Sequence, residues 1–466
     1  STGMYSEDKD GNPIYNWTIV DKIFDTYIER GMKPLAQIGF MPEALSQKPQ
    51  PYQHQWKPGV PYEQIMTGWA TPPKDYDKWS ELVYQWVRHC VERYGQAEVE
   101  SWYWEVWNEP DGFYLIAPDT KREYFKMYDY ASAAVKRALP TARMGGPHTA
   151  VAGPFMDEFL QHVLHEKNYA TGQTGAALDF VAWHAKGAPK VVNGIVQMGM
   201  NTHFRNLDRG FAMVEKYPEL KGKPVIIGES DPEGCAACGM QTNPENAYRN
   251  GTLYASYTAA SIAREYDLAA SHGVNLIGAV NWSFEFEDQP WFAGFRDLAT
   301  NGVNKPVLNV FRMLGMMGGE RVAVSGDLAY DAAKILADGV RGERTDINAL
   351  ASKDAKKKQV SVLVWNYHDD DKIDAGAPVE LAVGGLTAKQ VTLRHYRIDQ
   401  EHSNSYAAWK KMGSPAQPSA EQIAALTRAS ELAQLGGAQK ITVRNGRAIV
   451  KMQLPRQAVS LVTLSY

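Results

Sequence analysis

Cysteine is scarce in this sequence, with three residues in 466, too few for a disulfide framework to carry the fold. Long apolar runs are absent as well, which excludes a conventional membrane-spanning helix. There is no excess of positive charge: 49 Lys and Arg stand against 53 Asp and Glu, a net charge of -4. The basic residues are scattered, not gathered into the stripe that a phosphate backbone requires, so nucleic acid is excluded as an expected partner. Stability must then come from ordinary hydrophobic burial. At 44% hydrophobic and 22% charged residues the composition is that of a globular protein. The length exceeds what one core usually serves, so a large domain plus a smaller one is expected.

Aromatic residues, in contrast, are plentiful. The 13 Trp and 24 Tyr supply flat faces that can bury a ring and keep one polar atom hydrated, as a sugar face requires, although most such residues serve the core. Cys90 falls in a helical pattern, where a buried, inert thiol is expected. Cys235 and Cys238 form a Cys-x-x-Cys loop with no second pair at zinc-ribbon spacing and no βαβ context for a thioredoxin-type site. A local disulfide and two free thiols both remain open for this pair.

Short apolar runs alternate with amphipathic helices through the first half of the chain, the signature of a parallel α/β architecture. Strand-like runs are Lys33–Phe40, Ser101–Trp107, Arg143–Gly146, Asp179–His184, Pro224–Gly228 and Asn275–Trp282. Helical periodicity marks Trp17–Gly31, Trp79–Tyr94, Arg122–Leu139, Phe155–Glu166 and Leu253–His272. Asn16 and Asp119 are suited to start helices, and Gly31, Gly95 and Gly273 to stop them. The Pro- and Tyr-rich stretch Gln47–Asp75 reads as a long functional loop. After Met317 the pattern changes to alternating strands, with one helical insertion over Ser419–Leu435 and a solvated turn at Lys353–Lys358. The expected fold is therefore α/β: a (β/α)8 barrel over residues 1–317 followed by a C-terminal β-sandwich over 318–466.

In such a barrel, chemistry sits at the carboxyl ends of the strands. Two glutamates occur there, Glu109 in Trp107-Asn108-Glu109-Pro110 and Glu229 in Gly228-Glu229-Ser230. Glycoside hydrolysis needs one carboxylic acid to protonate the leaving oxygen and a second carboxylate across the sugar carbon, and this pair meets that need. The competing assignment is a loop-entry role at a helix start. His162 and His165 lie on a helical pattern without the Glu of a zinc-binding His-Glu-x-x-His motif and read as structural.

These motifs resemble the acid/base and nucleophile segments of the clan A retaining glycosidases. The chain further resembles glycoside hydrolase family 39 in Gly39-Phe40-Met41-Pro42-Glu43, Pro72-Pro73-Lys74-Asp75-Tyr76, Gly145-Gly146-Pro147 and Asp179-Phe180-Val181 leading to His184-Ala185. The likeness continues through Asn304-Lys305-Pro306-Val307, Tyr396-Arg397-Ile398-Asp399, Asn404, Trp409 and Met412-Gly413-Ser414-Pro415. The resemblance implies a retaining hydrolase of non-reducing ends, similar to the bacterial β-xylosidase branch, with Glu109 as acid/base and Glu229 as nucleophile. It implies that Asn108 binds the sugar 2-hydroxyl and that His148, His184 and Trp282 line the subsite, Trp282 as a floor ending the last strand. Glu285 and Glu287 are candidate hydroxyl ligands beyond it, or solvated loop charges.

The implied reaction uses no metal or organic cofactor, and its partner is an oligosaccharide or other glycoside. Alternatives are an exo-glycosidase of the same scaffold releasing arabinosyl, galactosyl or uronic acid units, and an inactive carbohydrate-binding homologue. The first placeable strand corresponds to the third of the family's barrel, so two strands are expected to lie outside this sequence. Three positions depart from the family pattern: Gln37 where an acid is common, Lys186 where Tyr commonly follows His-Ala, and the Cys235–Cys238 loop. Lys186 can recognise a carboxylate or point to solvent. Periplasmic or secreted placement is expected over cytoplasmic, and the sequence leaves oligomeric state open.

Overall fold

The computed structural model describes residues 3–48, 69–112, 114–235, 238–283, 289–372, 374 and 376–466. Most of the expected long loop Gln47–Asp75, together with Glu285 and Glu287, lies outside the described residues. Helices and strands alternate as α1 (Thr18–Glu29), β1 (Leu35–Ile38), α2 (Tyr76–Tyr94), β2 (Tyr103–Val106), α3 (Thr120–Ala138), β3 (Arg143–Thr149), α4 (Pro154–His165), β4 (Phe180–Lys186), α5 (Met200–Glu215), β5 (Pro224–Asp231), α6 (Thr252–Ser271) and β6 (Asn275–Ala279). The six strands form one sheet in sequential order, parallel in the pairs β1–β2, β2–β3, β3–β4 and β5–β6. This is barrel topology, and among the described residues the sheet stays open, with β1 and β6 at its edges.

Local chemistry explains the elements. Asp75 accepts hydrogen bonds from the Asp77 and Lys78 amides and starts α2, which ends at Gly95 with φ +87°. Between those signals Trp79, Leu82, Val83, Trp86, Val87 and Cys90 bury one face, three or four residues apart. Asp119 caps α3 in the same way through the Arg122 amide, and Asn16 accepts from the Thr18 amide at the start of α1. In β4 every residue from Phe180 to Ala185 is buried, the continuous apolar run of a strand covered on both faces. Helix α5 is absent from the sequence reading, although its buried side chains Phe204, Leu207, Phe211 and Val214 recur at steps of three and four residues.

The chain forms two compact units. One holds residues 1–185, 206–230 and 269–281, including most of the parallel sheet; the other holds 186–205, 231–268 and 282–466. The second unit contains the β-sandwich. Its larger sheet pairs Asp346–Asp354 with Gln359–Tyr367, then Val459–Ser465 and Gln390–Ile398, all antiparallel. Ala377–Val383 and Ala448–Leu454 form the opposing ribbon, and Val362, Val450, Val462 and Leu464 are among the side chains that fill the space between. Lys305, in the family-like Asn304-Lys305-Pro306-Val307 segment, is fully buried against Asp297 and the Phe295 carbonyl, a structural ion pair.

His203 in the second unit is buried, its Nδ1 2.9 Å from the Tyr257 hydroxyl, and burial pulls its pKa from 6.5 down to about 3. The unfolded chain therefore binds one more proton than the folded one between these values. Stability should fall as pH drops below 6.5 and level off near 3, this group contributing a slope of about 1.4 kcal/mol per pH unit. Denaturant unfolding of a His203→Gln variant between pH 4 and 6.5 is expected to give a shallower slope by that amount. An unchanged slope would remove His203 as a source of acid lability.

Candidate active site

The chain leaves β2 through two left-handed residues, Trp107 (φ +68°) and Glu109 (φ +44°). Side chains pay for such backbone geometry, so neighbouring structure must hold it. The Trp107 amide donates to the Ile38 carbonyl and the Glu109 amide to the His148 carbonyl, each at 3.0 Å, so strands on both sides clamp the turn. The Trp107 indole also donates to the Tyr114 carbonyl at 3.0 Å. Asp111, which accepts from the Ala150 amide at 2.7 Å, is pushed up in pKa mainly by burial.

His148 is the extra residue of a bulge. Along β3 and β4, Pro147 pairs with Ala182 and Thr149 with Trp183, leaving His148 unmatched at φ +53°. Bulges of this kind re-aim a side chain. Here the ring turns inward, 1% exposed, with Nδ1 3.1 Å from His184 Nε2 and Nε2 against Glu105 Oε2. Gly228, immediately before Glu229, makes the room: a methyl group in its place would overlap the His148 ring.

Glu109, His184 and Glu229 converge at the ends of β2, β4 and β5. His184 Nδ1 lies 2.9 Å from Glu109 Oε1 and 3.6 Å from Glu229 Oε1. One ligand atom from each of the three lies within 4.8 Å of the others, a spacing that a divalent cation can also accept. Behind them Gln37 donates to Glu105 Oε1 at 2.9 Å, the two residues being register partners in β1 and β2. Burial holds the Glu105 carboxyl well above the ordinary carboxylate range, reinforced by the charge of Glu229 and opposed by Gln37. Burial likewise pulls His148 well below the ordinary imidazole value, with the nearby His184 adding to it.

Four of the expected residues, Glu109, Glu229, His148 and His184, are thus brought together, and Asn108 is half-buried in the clamped turn beside Glu109. Trp282 is different. Strand β6 ends at Ala279, so Trp282 follows it in a loop that belongs to the second unit, where its amide faces Asp231 and its carbonyl accepts from Arg296 at 2.8 Å. The expectation that it closes the last strand is corrected: β6 is a short edge strand whose pairing with β5 shifts register between Leu276 and Gly278. Lys186, half-buried, ends β4 two residues beyond His184. Glu105 was missed by motif; its signal is a lone acid inside the apolar strand Tyr103–Val106.

Replacing Gly228 with Ala is expected to displace His148. Such overpacking should cost about 1–3 kcal/mol of stability, and the loss of the His148–His184 contact should lower kcat/KM by about tenfold. Thermal unfolding and steady-state kinetics check both; wild-type kinetics would mean that the ring's position is immaterial.

The sequence model of "Glycosyl hydrolases family 39" matches residues 1–443. A β-xylosidase of Geobacillus stearothermophilus is 27% identical over 445 residues, covering 92% of this chain and 77% of the relative. An α-L-iduronidase of Mus musculus is 25% identical over 418 residues, covering 83% and 61%. The crystal structure of a monomeric β-xylosidase from Caulobacter crescentus CB15 superposes with a TM-score of 0.77 at 23% identity, covering 100% of this chain and 87% of that one.

Proposed function

This chain belongs to glycosyl hydrolases family 39, and from that premise we propose that it is a retaining, exo-acting β-xylosidase with Glu109 as acid/base and Glu229 as nucleophile. The observation that carries the reading is the spacing of the two carboxylates, an oxygen of each lying within 4.8 Å of the other. Retaining enzymes hold their carboxyl groups about 5–5.5 Å apart, whereas inverting enzymes leave a wider gap for water. Glu109 gives its proton to the leaving oxygen while Glu229 attacks the anomeric carbon, forming a glycosyl ester. Water then attacks from the vacated side and yields its proton to Glu109. Esterification removes the negative charge of Glu229, so Glu109 meets less repulsion when it ionises for the second step.

The test is hydrolysis of 4-nitrophenyl β-D-xylopyranoside with the released anomer followed by NMR. β-Xylose as first product supports the reading; α-xylose overturns retention, and no hydrolysis overturns the choice of sugar. A second reading, release of a uronic acid unit, is favoured by Lys186 at the end of β4 and by the iduronidase relatives. A panel of nitrophenyl xylosides and uronides separates the two.

An oxidising location, periplasmic or secreted, is part of the proposal and is supported by the Cys235–Cys238 disulfide. Thiol titration of the denatured protein as isolated should find Cys90 alone reactive; three thiols would count against it.

A further inference from the structure

We propose that a buried chain of polar contacts, Glu105–His148–His184–Glu109, aims the acid/base proton, with Glu105 as its terminal donor and positioning residue. The inference rests on the assignment of Glu109 as acid/base.

Glu105 Oε2 lies against His148 Nε2, each of these buried atoms having no hydrogen-bond partner of its own, and hydrogen bonds join His148 Nδ1 to His184 Nε2 at 3.1 Å and His184 Nδ1 to Glu109 Oε1 at 2.9 Å. A neutral imidazole carries one N–H and one lone pair. With both rings neutral, the contact between them admits two arrangements, because the other two set lone pair against lone pair or hydrogen against hydrogen. In the first, both rings carry Nδ1–H: Glu105 donates its carboxyl proton to His148, His148 donates to His184, and His184 donates to Glu109 Oε1. In the second, both carry Nε2–H and every bond is reversed, so Glu109 must donate its proton from Oε1 to His184. Passing from one to the other moves one proton net from Glu105 to Glu109.

The consequences for acid catalysis are opposite. With the first polarity Oε1 is occupied as an acceptor, and the proton of Glu109 is directed to Oε2, the oxygen from which it can pass to a leaving oxygen. When that proton is given up, the His184 N–H stabilises the carboxylate left behind. With the second, the proton points into the protein and is unavailable. What selects the polarity is whether Glu105 keeps its proton. The groups that face it are Gln37 from β1, His148 from β3, the Glu229 charge from β5, and Tyr124 from α3, whose hydroxyl is engaged with the Val106 and Pro147 carbonyls. None of these is a cation, so nothing among them stabilises an ionised Glu105, and burial opposes it. Gln37 completes the setting by donating to the oxygen that Glu105 leaves free.

Long-range 15N–1H correlation spectra of the histidine-labelled wild type test the polarity directly. His148 and His184 are each expected with the proton on Nδ1 and with Nε2 accepting. An Nε2–H tautomer or an imidazolium at either position would overturn the chain. Kinetics supply a readout that a merely structural role would not move. In Glu105→Leu the ratio of kcat/KM for a dinitrophenyl glycoside to that for an alkyl glycoside should rise about tenfold over wild type, because only the alkyl substrate needs the aimed proton. Glu105→Gln, whose amide can donate to His148 and accept from Gln37, should recover most of that change. Equal losses on both substrates, or no recovery in Glu105→Gln, would overturn the proposal. Failure of the Glu109 assignment is separate: it would appear as absence of azide rescue in Glu109→Ala, with the histidine tautomers of the wild type as expected.

Discussion

Glu229→Gln is expected to reduce kcat by about four orders of magnitude or more on every glycoside, activated or not. Glutamine keeps the size and one oxygen of the side chain but cannot form the glycosyl ester on which both half-reactions depend. The loss cannot be offset by a better leaving group, because it is attack on carbon that is missing. Folding should survive, since Glu229 follows the apolar run Val225-Ile226-Ile227 and Gly228, which fix β5 independently of its side chain. The thermal midpoint should therefore remain within a few degrees of the wild type. A 2-deoxy-2-fluoro glycoside of the accepted sugar should label the wild type on the peptide containing Glu229, detectable by mass spectrometry, and leave the variant unlabelled. A label on any other carboxylate, or residual turnover above about one per cent, would remove Glu229 from the role.

What could be read from the sequence was what depends on near neighbours in the chain. The apolar runs of β4 and β5 announce buried parallel strands, and the Asp119 cap and Gly95 stop set helix limits to within a few residues. The strand-end positions of Glu109 and Glu229 followed from barrel logic applied to those runs. What was not legible depends on register. That His148 turns inward follows from one unmatched residue between Pro147 and Thr149, and no periodicity reports a bulge. Glu105 looked like part of a strand because its partners Gln37 and His148 come from 68 residues before and 43 after, joined only when β1, β2 and β3 align. Gly228 reads as motif in the sequence and as empty space for a ring in the structure. The misreading of Trp282 is one of length: β6 runs to Ala279, the Val280 amide and carbonyl still bond to Ile227 and Ser230 of β5, and Trp282 lies two residues beyond.

Glu109→Ala should divide substrates by their need for a proton. On alkyl glycosides or oligosaccharides the loss of general acid catalysis is expected to lower kcat/KM by about 10³-fold, whereas a dinitrophenyl glycoside, whose phenolate departs unaided, should form the glycosyl ester at close to the wild-type rate. The second step then lacks its general base, so the ester accumulates: kcat and KM for the activated substrate both fall and a burst of phenolate precedes steady turnover. Azide, which needs no deprotonation, should restore turnover and release a glycosyl azide of retained configuration. The cavity left by the side chain favours this, since Glu109 Oε1 is the atom that His184 Nδ1 approaches at 2.9 Å and its removal opens a site lined by that nitrogen. Retained configuration in the azide product would place Glu109 on the face opposite the nucleophile. An inverted product, or equal losses on alkyl and dinitrophenyl substrates, would mean that Glu109 shapes the site without carrying the proton.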